Sequence, residues 1–168
     1  EMWRSLIVEL EKRGYSWKLF VNGLKSDFEF AQEVLEYMGK SKDKEQYLVP
    51  RPTESRELVE TIASFKGIVA CRMHANIIAY SLGIPSVGLA WNDKLTFWGR
   101  SIGYPERFLT SEHFTGKEIA DCLETSLQSG VHQKGVAFRY SVYRSLKRFV
   151  HQYGKTALKN KPSSHSAH

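Results

Sequence analysis

Long hydrophobic runs are missing from this sequence. No apolar stretch in its 168 residues approaches the roughly 20 needed to cross a bilayer as a helix. The opening, Glu1-Met2-Trp3-Arg4, lacks both the apolar centre and the small-residue cleavage site of a signal peptide. It also lacks an initiator Met at position 1, so the expectation is a processed product or a piece excised from a longer protein. Cysteine is scarce. Cys71 and Cys122 are the only two, and neither has metal-ligand spacing to another Cys or His. Cys71 ends the apolar run Ile68-Val69-Ala70-Cys71 and reads as a small buried hydrophobe, so a reduced, cytoplasmic setting is expected. There is no Gly-rich phosphate loop, no Gly-x-Ser-x-Gly and no His-Glu-x-x-His. No metal and no cofactor are therefore expected. What remains is a globular composition, 42% apolar and 25% charged, which excludes a disordered or fibrous chain and fits one domain of ordinary size.

Acidic residues are also absent from one region. Residues 131–168 carry eight basic groups (Lys134, Arg139, Arg144, Lys147, Arg148, Lys155, Lys159 and Lys161) and no acid. The first 130 residues hold 16 basic and 18 acidic groups, so the net charge of +6 belongs to the tail and not to the body. That argues against nucleic acid as the partner of the main fold. The tail suits an anionic membrane surface or an acidic neighbour, or is a solvated helix with a frayed end.

Helical and extended segments alternate. Trp3, Leu6, Ile7 and Leu10 form a helical stripe over residues 2–12. Residues 17–21 read as a buried strand closed by Asn22-Gly23. Ser26-Asp27-Phe28-Glu29 has the form of a capping box, opening a helix to about Met38. Residues 46–49 read as a short strand stopped by Pro50 and Pro52. Thr53 is placed to cap a helix with Leu58, Ile62 and Phe65 inward. The strand 68–71, a helix 75–82 ending at Gly83, and an extended run 85–90 follow. A helix over 94–102, a short strand 107–109, and a helix from Thr115 to about Leu127 complete the body. A basic helix over about 136–153 comes last. Such alternation predicts crossovers and a mainly parallel sheet, a Rossmann-like α/β sandwich of three layers. The expected division is a Rossmann-like donor-binding domain over 1–130, a basic helix over 131–155 packed on it or extending from it, and a disordered tail over 156–168.

In such sheets ligands bind beyond the C-terminal ends of the strands. Arg72-Met73-His74 lies there, between an apolar strand and a helix start whose free N–H groups favour an anion. Arg72 offers a planar fork for phosphate or carboxylate, and His74 can move a proton near neutrality. The plainer alternative is that Arg72 pairs with a carboxylate and His74 caps the helix. Trp91-Asn92-Asp93-Lys94 occupies the same place after the next strand. Lys94 can add positive charge, and Asp93 can orient Lys94 or His74. Trp91 and Trp98 can stack on a sugar or belong to the core. Asn22 follows the first strand and faces the same cleft. His113, His132, His151, His165 and His168 have no ligand-like spacing and read as surface residues.

These residues resemble the polysaccharide pyruvyl transferases. The likeness rests on an ordered set between Glu57 and Lys94: Arg72-Met73-His74 at a strand-to-helix junction, a helix of small and apolar residues, Gly83-Ile84-Pro85, the strand Val87-Gly88-Leu89, and the turn Trp91 to Lys94. The Asp27 region also fits, and the match extends loosely over residues 1–130. The family usually has Tyr where this chain has Trp91, and often Asp where it has Asn92. The resemblance implies the C-terminal half of a GT-B-like enzyme whose N-terminal Rossmann-like domain is missing here. It implies transfer of a pyruvyl group from phosphoenolpyruvate to a sugar or lipid-linked glycan, forming a ketal during cell-surface or exopolysaccharide biosynthesis. Arg72 would bind the donor and His74 would do the acid–base work. Two other readings compete: a GT-B glycosyltransferase half binding a nucleotide sugar, and a non-enzymatic module docking on a membrane or partner through its basic helix.

Overall fold

The computed structural model of the protein describes residues 1–110, 114–131, 140–148 and 151–152. It divides into two units, Glu1–His132 and Gln133–His168. In chain order the first unit has helices Met2–Lys12 (α1), Lys25–Tyr37 (α2), Lys44–Tyr47 (α3) and Ser55–Ala63 (α4), strand Ile68–Ala70 (β1), and helix Met73–Leu82 (α5). Strand Ser86–Leu89 (β2), helix Asp93–Ile102 (α6), strand Phe108–Leu109 (β3) and helix Gly116–Ser129 (α7) follow. The strands form a parallel sheet in the order β1-β2-β3, with Val69 opposite Val87 and Gly88 opposite Phe108.

Successive side chains of a strand face opposite ways, and both faces of this sheet are covered. Val87 and Leu89 pack with Leu6 and Leu10 of α1 and Ile119, Ala120 and Leu123 of α7, with Val69 against them. Ile68 and Ala70 pack on the other face with Leu58 and Ile62 of α4 and Ala75 and Ala79 of α5. On that face the Phe108 ring lies between Gly88 and Gly99, where a Cβ at either glycine would run into it. The result is the expected α/β sandwich of three layers. It explains why β2 reads as an unbroken apolar run: all four of its residues are buried.

Four local expectations need correction. Residues 17–21 do not form a full strand, because Leu19 makes only an isolated parallel bridge with Leu48. The partner stretch is the cause. Lys44–Tyr47 winds as a helical turn that runs into the strand expected over 46–49, leaving Leu48 extended before Pro50. Val21 and Leu48 instead join Ala31 and Leu35 in a separate cluster. The capping box at Ser26 is also not formed. The helix begins earlier, with Leu24 at the N-cap, and this puts Asp27 in the first turn. At α4 the N-cap is Glu54 and not Thr53. Glu57 closes the box by accepting from the N–H groups of Thr53 at 2.6 Å and Glu54 at 3.3 Å. Those bonds hold its carboxyl below the usual range.

At α7 the box forms as expected. The Thr115 hydroxyl accepts from the Glu118 N–H at 3.2 Å, and the Glu118 carboxylate accepts from the Thr115 N–H at 3.0 Å. Thr115→Ala is expected to cost about 1 kcal/mol, read as a lower urea midpoint with unchanged slope.

In the second unit, residues 140–148 (α8) and 151–152 are helical, and every one of them is exposed. The rest of the helix expected over 136–153, the tail over 156–168, and His113, His132, His165 and His168 lie outside the described residues.

Candidate functional site

Strand β1 ends at Ala70, and two residues later α5 begins with Arg72 as its N-cap, in extended geometry at φ −95° and ψ 129°. Among the described residues no side chain caps this helix, and its first turn holds no acid. The first N–H groups of a helix have no intrahelical acceptor, and the start of α5 is the positive end of its dipole.

The junction is fastened from below by Asn76. Its Nδ2 donates to the carbonyls of Ala70 at 3.1 Å and Arg72 at 3.0 Å. Two carbonyl acceptors fix which end of the amide is nitrogen. Asn76 is fully buried, and its Oδ1 has no hydrogen-bond partner among the described residues. Sequence reasoning passed over Asn76. The signal was there: it is the lone amide in the otherwise apolar stretch from Ala75 to Ala79.

The Arg72 side chain meets a carboxylate, as the plainer reading had it. Its Nε donates to Asp27 at 3.0 Å and its Nη2 at 2.6 Å, a two-point grip that raises the guanidinium pKa further. A guanidinium has five N–H donors, so three remain for a ligand. The Arg72 side chain is 41% exposed and the Asp27 side chain 24%. Asp27 thus orients the fork without enclosing it.

Both residues line a cleft of about 1610 Å³, together with Asn22, and both the 17–21 stretch and β1 border it. Phe20, Phe65 and Val69 supply part of its apolar wall. The Cys71 thiol is half-buried beside it, and burial pushes its pKa up, which keeps it protonated.

His74, Trp91, Asp93, Lys94 and Trp98 do not line the cleft. His74 is exposed in the first turn of α5. Trp91 is 69% exposed, and its indole N–H donates to the Cys71 carbonyl at 3.0 Å, tying the turn after β2 to the turn after β1. Asn92 caps α6 by accepting from the Lys94 N–H at 3.1 Å. Asp93 and Lys94 are exposed. Trp98 is half-buried, edge-on to Tyr80 with ring centroids 5.7 Å apart, which is a packing position. His151 is exposed. Among the described residues, no group of three or more His, Cys, Asp or Glu is placed to hold a metal ion, and no helix is long and apolar enough to cross a membrane.

A family model described as polysaccharide pyruvyl transferase matches residues 2–93, more than half of the chain. The matched span includes Asn22, Asp27, Arg72, His74 and Trp91, ends at Asp93, and leaves out Lys94. No curated protein and no solved structure matches the chain.

Proposed function

Since the chain belongs to the polysaccharide pyruvyl transferase family, we propose that it is the donor-binding part of such a transferase and takes phosphoenolpyruvate at the start of α5. The observation that carries this reading is the Arg72 fork, oriented by Asp27 at a cleft rim beside an uncapped helix N-terminus. Phosphoenolpyruvate has a phosphate and a carboxylate. One anionic group suits the free N–H donors of Arg72, and the other suits the first turn of α5. Lys94 adds positive charge from the neighbouring turn. Asn22 and Asp93 offer polar contacts to donor or acceptor, and the exposed Trp91 offers a face for a sugar.

The reaction moves a three-carbon unit onto two hydroxyls. The methylene carbon of the donor gains a proton. A sugar hydroxyl oxygen bonds to the central carbon, and the phosphate leaves with the electrons of its C–O bond. A second hydroxyl then closes the ketal. Of the two hydroxyl protons released, one balances the proton taken by the methylene carbon and the other departs with the phosphate. An imidazole nitrogen can both give and accept a proton, so His74, exposed beside Arg72 in sequence, is the group for these transfers. Arg72, Lys94 and the helix dipole steady the leaving phosphate, and preorganised charge of this kind is the largest contributor in comparable chemistry.

Titration calorimetry on the whole chain tests the reading with three probes: phosphoenolpyruvate, inorganic phosphate and a nucleoside diphosphate sugar. The expected result is binding of phosphoenolpyruvate, weaker binding of phosphate in competition with it, and none of the nucleotide sugar. Binding of the nucleotide sugar without phosphoenolpyruvate would replace this reading with a glycosyltransferase half.

A further inference from the structure

Helix α8 shows two faces, and its described side chains are exposed. At about 100° per residue, Val142, Tyr143 and Leu146 fall within one sector about 100° wide, and Arg144, Lys147 and Arg148 fall within another on the opposite side. Every residue from 140 to 148 is exposed, including Val142 at 41%, Tyr143 at 60% and Leu146 at 58%. Tyr143 stands at the border of the apolar sector, next to Lys147 around the axis. The Arg144 guanidinium lies 5.3 Å from the centre of the Tyr140 ring, which holds that charge on the basic side. The surrounding sequence repeats the sign, since residues 131–168 contain eight Lys or Arg and no Asp or Glu.

We propose that α8 binds an anionic lipid surface, lying in the interface with Val142, Tyr143 and Leu146 toward the acyl boundary and Arg144, Lys147 and Arg148 on the headgroup phosphates. An amphipathic helix whose polar face is basic has the composition for that position. The charge selects the partner. A groove on another protein would match the apolar sector but gives no reason for a stretch of this length without one acid. Nucleic acid would match the charge but has no use for Val142 and Leu146 on a common side. A bilayer with anionic headgroups uses both faces at once, and a tyrosine at the border suits the boundary between them. The inference is independent of the Arg72 site, because it rests on a different unit of the chain.

The test is co-sedimentation of the whole chain with vesicles of phosphatidylcholine alone and of phosphatidylcholine mixed with phosphatidylglycerol. The chain is expected to sediment with the mixed vesicles only, more weakly as salt rises. Replacing Arg144, Lys147 and Arg148 together by Gln should weaken binding by about 100-fold, taking each charge near the surface as roughly a factor of five. Leu146→Glu should weaken it by at least about tenfold. Because these side chains are exposed, neither variant removes core packing, and an unchanged urea midpoint checks that. Failure to sediment with the mixed vesicles overturns the proposal. So does binding indifferent to Leu146→Glu, which would reduce the contact to charge alone. Capture of an RNA oligomer in place of vesicles would overturn it in favour of nucleic acid.

Discussion

Arg72→Ala is expected to lower the affinity for phosphoenolpyruvate by about 100-fold. A hydrogen bond to a charged group contributes about 1.5–3 kcal/mol, and every 1.4 kcal/mol is a factor of about ten in affinity. The substitution also leaves the Asp27 carboxylate unopposed at the rim, where it repels an incoming anion. The double variant Asp27→Asn with Arg72→Ala should therefore bind better than Arg72→Ala alone. Arg72→Lys keeps the charge but loses the two-point grip on Asp27, so it should fall between wild type and Arg72→Ala. The pair is partly exposed, and such pairs add no more than about 1 kcal/mol to folding. The loss therefore reports on the site and not on stability. Titration calorimetry decides the matter: equal affinity with and without Arg72 would remove the assignment.

Gly116→Ala is expected to destabilise the fold by about 3 kcal/mol, toward or beyond the upper end of what overpacking usually costs. For a unit of this size that is a drop of roughly 10 °C in melting temperature. Gly116 is buried at the first position of α7, and its N–H donates to the Ser5 hydroxyl at 3.1 Å. A Cβ there would meet the backbone of Ser5 and Leu6 in α1. Backbone cannot rotate aside as a side chain can, so the two helices must part. Their separation would open the cluster of Leu6, Leu10, Ile119 and Leu123 that covers one face of the sheet. Gly67→Ala is the informative comparison. The atoms nearest its Cβ belong to the Leu127 and Leu123 side chains, which can rotate away, so its cost should be smaller. Urea unfolding of both variants measures the difference, and a change at Gly116 within about 0.5 kcal/mol of zero, the range of an ordinary surface change, would refute the close approach.

Much of the sandwich was legible because it depends on near neighbours in sequence. The apolar runs ending at Cys71 and Ala90, each followed by a helical stripe, marked β1, β2 and their crossovers. Gly83 and Gly103 marked helix ends, and both adopt the left-handed conformation there, at φ 75° and 83°. The Thr115–Glu118 box was readable because its partners are three residues apart. The same reasoning failed at Ser26, where the box pattern is present but the N-cap of helix α2 lies two residues earlier, at Leu24. It failed again over residues 17–21, where an apolar run found no adequate partner strand. Strand formation depends on a neighbour that local pattern does not reveal.

The candidate site divides in the same way. Composition and periodicity alone placed Arg72 and His74 where a strand hands over to a helix, because burial and helix geometry act over a few residues. Tertiary structure alone brought Asp27 onto Arg72 across 45 positions of chain, tied Trp91 to the Cys71 carbonyl, and pressed Gly116 against α1. Those arrangements follow from how whole elements fill space against one another, a long-range balance that no short stretch of residues encodes.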